Sequence, residues 1–169
     1  VQYVFSFNEG DGKNKQLLGG KGANLCEMTQ IGLNVPPGFV ISTEACLTYL
    51  DDSKRLLPES VMEQVRKEMA LVEKKSTKKF GDVNNPLLVS VRSGSAMSMP
   101  GMMDTILNLG LNAETLKGLI RQTNNERFGY DAYRRFIQLF GKVALGVPDE
   151  KFDKHFEEVK HRAGVKVDI

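Results

Sequence analysis

The chain has 169 residues, 41% apolar and 26% charged, the proportions of a globular protein with material for one ordinary domain or two small subdomains. Lys and Arg number 23 and Asp and Glu 21, a formal charge of +2 that is too mild for a nucleic-acid or acidic-membrane binder, so any anion must be held by a local cluster. No run approaches the roughly 20 apolar residues of a membrane span. Two unpaired cysteines and two late histidines make no zinc signature.

Tyr3-Val4-Phe5-Ser6-Phe7 has the aromatic and β-branched make-up of a strand, and Asn8 to Gly12 that of a turn. Leu17 and Leu18 lead into Gly19-Gly20-Lys21-Gly22. A helix is expected from about Ala23 to Gln30, with Leu25 and Met28 facing inward and Gly32 at its end. Val35-Pro36-Pro37-Gly38 is a rigid turn, because each proline fixes φ and removes a donor. Phe39-Val40-Ile41 then reads as a short strand, and Ser42 or Thr43 caps a second helix reaching about Leu50. Cys26 and Cys46 are expected to be buried, reduced thiols, which suits an intracellular compartment.

Pro58 opens a long amphipathic helix with Val61, Val65, Met69 and Val72 on one stripe, and Lys74, Lys75, Lys78 and Lys79 form its solvated face and tail. Leu87 to Arg92 reads as the most clearly buried strand of the chain, followed by a small-residue loop from Ser93 and a second β-like run, Ile106 to Gly110. Helices are expected near 113–122, 125–144 and 149–163. Their stripes are Leu116, Leu119 and Ile120; Tyr133, Phe136, Ile137 and Phe140; and Phe152, Phe156 and Val159, all expected to be core. His155 and His161 lie on the last, charged helix and are expected at the surface. Residues 1 to about 110 therefore mix strands with Gly-rich connections, whereas 111–169 read as almost continuous helix.

Two stretches carry chemistry. In Gly19-Gly20-Lys21-Gly22, glycines let the backbone approach a phosphate, the following helix offers its positive end, and Lys21 supplies a movable charge. A flexible turn with a surface lysine reads equally well. It is not a Walker A loop, since Lys15 stands at the first glycine position and Gly22 where Ser or Thr would hold magnesium. Nor do Gly10 and Gly12 continue into a dinucleotide fingerprint, because Lys15 replaces the third glycine. Arg92 ends an apolar run and begins the small-residue loop, where a guanidinium can clamp phosphate oxygens through two parallel hydrogen bonds or pair with a nearby carboxylate. Pro100-Gly101 makes a turn flanked by Met99, Met102 and Met103, thioethers able to close over an apolar ring or to plug into the core.

Leu17 to Leu25, Val35 to Phe39, and Val91-Arg92-Ser93-Gly94 through Met103-Asp104-Thr105 resemble, in order and spacing, the pyruvate phosphate dikinase family. Asn124-Asn125-Glu126-Arg127-Phe128 and Tyr133-Arg134-Arg135-Phe136 look like its continuation. The Gly-Gly-Lys-Gly-Ala and Pro-Pro-Gly-Phe elements are shared with phosphoenolpyruvate synthases and related dikinases, but the Met-rich stretch from Met97 to Thr105 is particular to this branch. The resemblance implies an α+β fold: over 1–110 the first portion of an ATP-grasp nucleotide-binding domain, a short mixed sheet with helices, and over 111–169 an incomplete all-helical subdomain. It implies that Lys21 and Arg92 contact ATP phosphates. Gly19, Gly20, Gly22, Gly101, Asp104 and Thr105 would lie around the polyphosphate, beneath a loop from Ser98 to Thr105 that closes over it.

The full enzyme of this family converts ATP, phosphate and pyruvate to AMP, pyrophosphate and phosphoenolpyruvate through a phosphohistidine. ATP and Mg are thus the expected cofactors, with the magnesium ligands, the phosphohistidine domain and the pyruvate-binding barrel expected in parts not included here. The piece alone is expected to be inactive. A homodimer is expected of the full-length enzyme, with no nucleic-acid or membrane partner. The cytoplasm is the default location, or a plastid or glycosome if targeting signals were lost. Two alternatives remain: the ATP region of a phosphoenolpyruvate synthase or glucan dikinase, and a non-catalytic helical interaction module.

Overall fold

The structure, a computed structural model, describes residues 1–94 and 104–166. The chain is α+β, with its described strands in two separate two-stranded antiparallel sheets and six described helices. It divides into two compact units. One holds Val1–Phe80 and the short stretch from Ser93; the other holds Gly81–Arg92 and the chain from Asp104 onward. No described helix is long and apolar enough to cross a membrane.

In the first unit β1 (Val4–Ser6) pairs with β2 (Phe39–Ile41), Phe5 opposite Val40. Between them in sequence runs α1 (Lys15–Gln30), started by Asn14, whose side chain accepts from the Leu17 amide at 3.1 Å. Leu18, Ala23 and Cys26 are buried and pack with Phe5, Phe7, Leu17 and Val40. Helical structure thus begins before Ala23, at Lys15 with an interruption at Gly19, and its inward face is only partly the expected one. Cys26 points in, and Met28, two residues on and roughly 200° around the helix, is exposed.

Ser42 is the residue that caps α2 (Thr43–Asp51), its hydroxyl accepting from Ala45 N at 3.4 Å. Cys46, on the outer face of α2, is exposed, so only Cys26 of the two thiols is buried. Helix α3 (Glu59–Ser76) follows Pro58 and buries Val61 and Val72, while Lys74, Lys75, Lys78 and Lys79 are exposed as expected. It is tied to β1 by Gln64, whose Oε1 accepts from Tyr3 N at 2.8 Å and Val4 N at 3.1 Å. Backbone amides without a strand partner need an acceptor from elsewhere, and Gln64 supplies it.

In the second unit β3 (Val89–Arg92) pairs with β4 (Thr105–Leu109), with a register shift between Val89 and Val91. This is not a buried strand. Burial falls on Pro86 and Leu87, before the strand begins, and Val91 is 46% exposed in a sheet that has two strands among the described residues. Helix α4 (Ala113–Thr123) starts in a reciprocal cap: Asn112 Oδ1 accepts from Glu114 N and Thr115 N, and the buried Thr115 hydroxyl accepts from Asn112 N. Asn125 caps α5 (Glu126–Val143), its side-chain oxygen accepting from Phe128 N at 2.9 Å. Helix α6 (Asp149–Ala163) closes the unit and buries none of its residues, although Arg134 of α5 stacks over Phe156 at 4.6 Å. The expected core stripes are therefore only partly realised. Leu116 is buried, but Ile137 and Val159 are about half exposed. His155 and His161 are exposed, as the charged helix suggested.

Candidate functional site

Within α1 the backbone departs from the helix at Gly19, with φ 68° and ψ 163°. That region is open essentially only to glycine. The break turns one continuous run into a single turn, Lys15 to Leu18, and a fresh helix whose first residues are Gly20, Lys21 and Gly22. The first amides of a helix have no intrahelical acceptor and point outward along its positive end. A helix starting at Ala23 would have put Lys21 in a loop; the structure puts it in the first turn of the helix.

The carbonyls orphaned on the other side of the break are served from elsewhere. Thr43 donates its hydroxyl to Gln16 O at 2.6 Å and to Leu17 O at 3.3 Å. By its sequence position Thr43 is only an alternative cap for α2. No local pattern links it to residues 27 positions away, so only the fold could reveal its role.

The glycines around Lys21 differ in what they face. A Cβ on Gly22 would sit 2.7 Å from Val40 Cγ1, so Gly22 lets the helix lie against β2, whereas Gly20 faces open space. Lys21 is half-buried and pairs with no carboxylate among the described residues. Chemically the segment is a run of outward amides with an unneutralised ammonium beside it, an arrangement that favours an anion.

The second group belongs to the other unit. Arg92 is the last residue of β3 and is directly opposite Thr105, the first of β4, with Asp104 one residue before. Arg92 and Asp104 are exposed and Thr105 is half-buried. The hairpin thus brings Arg92, Asp104 and Thr105 together at the end where its two strands are connected. Among the described residues Arg92 has no carboxylate partner. Gly101 and the methionine turn lie outside the described residues, as does the loop from Ser98 up to Met103. Among the described residues no group of three or more His, Cys, Asp or Glu is placed to hold a metal ion.

Comparison with known proteins connects this geometry to a family. Residues 15–57, which span the Gly19 break, β2 and Thr43, match the family described as "Pyruvate phosphate dikinase, AMP/ATP-binding domain". The chain is 62% identical over 168 residues to the pyruvate, phosphate dikinase of Entamoeba histolytica, covering 99% of this chain and 19% of that protein. It is 47% identical to the Clostridium symbiosum enzyme of the same name, again over 99% of the chain and 19% of the relative. Against the chloroplastic pyruvate, phosphate dikinase 1 of Arabidopsis thaliana the identity is 50%, over 98% of the chain and 17% of the relative. The chain thus spans less than a fifth of the length of these relatives. Identity this high over nearly the whole chain, with the matched domain including the Gly19 break, means that the chain belongs to the pyruvate phosphate dikinase family.

Proposed function

We propose that the chain supplies phosphate-holding residues of the nucleotide site of a pyruvate phosphate dikinase, an ATP-grasp type of site. The observation that carries this reading is the Gly19 break, which presents the amides of a new helix and Lys21 on one side, inside the stretch matched to the AMP/ATP-binding domain. An ammonium 4 Å from a phosphate oxygen gains roughly 4 kcal/mol at an effective dielectric near 20, before desolvation. Lys21 and Arg92 act as electrostatic clamps that neutralise and align the polyphosphate, the main demand of phosphoryl transfer. Asp104, Thr105 and Gly101 are assigned to the same polyphosphate region.

The whole enzyme would convert ATP, phosphate and pyruvate to AMP, pyrophosphate and phosphoenolpyruvate through a phosphohistidine. His155 and His161 are not assigned that role, since both are exposed on a charged helix. Magnesium would arrive on the nucleotide phosphates and neutralise their charge; no ligand for it is assigned to the described residues. The names of the relatives favour this reading over a phosphoenolpyruvate synthase, a glucan dikinase or an interaction module.

Calorimetric titration of the chain with Mg-ATP, beside Lys21→Ala and Arg92→Ala, tests the reading. Both variants are expected to fold like the parent, because neither side chain is deeply buried or ion-paired, and to bind at least tenfold more weakly. Undiminished binding by either variant would remove that residue from the site.

A further inference from the structure

In the first unit, on the edge of β1 away from β2, lies a groove of about 580 Å³, walled by Val4 and Phe5 of β1 and by Gln64, Lys67 and Glu68 of α3, with Glu9 at its rim. That volume is within the usual range for small-ligand clefts. Glu68 is the residue that does not fit a structural role. It sits on the buried stripe of α3, between Val61 and Val72, and is only 7% exposed. No described residue donates to its carboxylate or pairs with it, yet its oxygens are not sealed from the groove. Lys67, its neighbour in sequence, forms no ion pair with Glu68 or Glu9. A carboxylate held largely out of water without a partner is unfavourable, and an incoming cation relieves it.

We propose that this groove binds an organic cation, a guanidinium on an aliphatic stem, with Glu68 as its principal partner and Glu9 as the second. A bare metal ion fits less well. Hard cations take six or more oxygens, and here the Gln64 carbonyl oxygen already accepts from two backbone amides. A guanidinium needs fewer acceptors, matches a carboxylate in a planar fork, and presents a weakly hydrated face to Val4 and Phe5. Its stem lies along the same apolar wall. Two carboxylates meet the Lys67 ammonium and the Val1 amino group in the lining, so it is the buried position of Glu68, not the groove's net charge, that favours a cation. The guanidinium comes either from a small molecule or from an arginine of another polypeptide segment. The inference is independent of the nucleotide-site reading, because it rests on β1 and α3 rather than on α1 or the β3–β4 hairpin.

The test is a titration of the whole chain, followed by backbone amide NMR, with ethylguanidinium and separately with a capped peptide carrying one arginine. Sodium chloride at matched ionic strength is the control. Saturable shifts centred on Phe5, Gln64 and Glu68 are expected, with at least tenfold weaker binding in Glu68→Gln and a smaller loss in Glu9→Gln. Binding of ethylguanidinium supports the proposal with a small-molecule source, and binding of the peptide alone supports it with a polypeptide source. If neither probe gives saturable shifts beyond the salt control, or if Glu68→Gln and Glu9→Gln both bind like the parent, the groove is not a guanidinium site. Glu9 is exposed, so Glu9→Gln keeps the test decisive even if Glu68→Gln fails to fold.

Discussion

At φ 68° and ψ 163° Gly19 holds a conformation that costs a residue with a Cβ about 1–3 kcal/mol. Gly19→Ala is therefore expected to lower the unfolding free energy by that amount in urea titration, whereas Lys21→Ala, two residues on, leaves it nearly unchanged. Equal effects of the two would mean that the break is not a required feature of the fold. The glycine-rich tetrad was visible in the sequence, but its conformation was not. Glycines close together read as a flexible turn, while the structure uses Gly19 for a sharp break and places Gly20, Lys21 and Gly22 in a helix. The cysteines gave a similar partial reading. Burial raises the Cys26 thiol pKa above its usual value, whereas Cys46 is exposed. In the native chain a maleimide is expected to label Cys46 rapidly and Cys26 only after denaturant is added, as mass spectrometry of the labelled peptides would show. Prompt labelling of both would contradict the packing of α1 against the first sheet.

Helices α4, α5 and α6 lie within a residue or two of where periodicity placed them, because each has a polar cap or a proline at its start and an unbroken amphipathic pattern. The strand ending at Arg92 is less legible in the sequence. An apolar run before a polar loop looks the same whether its neighbours are strands or water, and here the sheet has two strands among the described residues. Within α5, Asp131 receives hydrogen bonds from Arg134 at 2.9 Å and Arg135 at 2.8 Å. The Arg134 bond foremost, with Arg135 adding to it, holds the Asp131 carboxyl below its usual pKa. A carboxyl whose pKa falls on folding stabilises the native state above its unfolded pKa, and that stability is lost as pH drops through the folded value. Its side chain is 43% exposed, so solvent screening limits the effect to about 0.5 kcal/mol. Asp131→Asn is expected to cost that much at neutral pH and nothing once acid has protonated Asp131 in the parent. Urea titrations of both proteins at the two pH values would show it, and a difference that persists in acid would mean the loss is not one of charge.

Sequence periodicity identifies an apolar stripe but not what covers it, and this limit governs the whole molecule. Leu47 and Leu50 lie on one face of α2 and are 57% and 48% exposed; Leu56, just beyond the helix, is 62% exposed. On α5, Phe128 and Ile137 are likewise half exposed, although Ile137 was expected in the core. Single exposed apolar residues are ordinary, but contiguous ones mark surfaces made for contact. The chain corresponds to 19% of the length of its Entamoeba histolytica relative, so such surfaces in the relative have much additional polypeptide available to meet them. The chain studied by itself is expected to bury them against other copies. Sedimentation velocity should show a weight-average mass that rises with protein concentration, together with binding of a fluorescent apolar dye while the far-ultraviolet spectrum stays native. A Leu47→Glu, Leu50→Glu double variant is expected to fold normally, since neither side chain is buried, yet to associate less by placing two charges one helical turn apart on that face. A chain that stays monomeric at high concentration and ignores the dye would show that α2 presents no contact surface, and that its leucines are merely scattered.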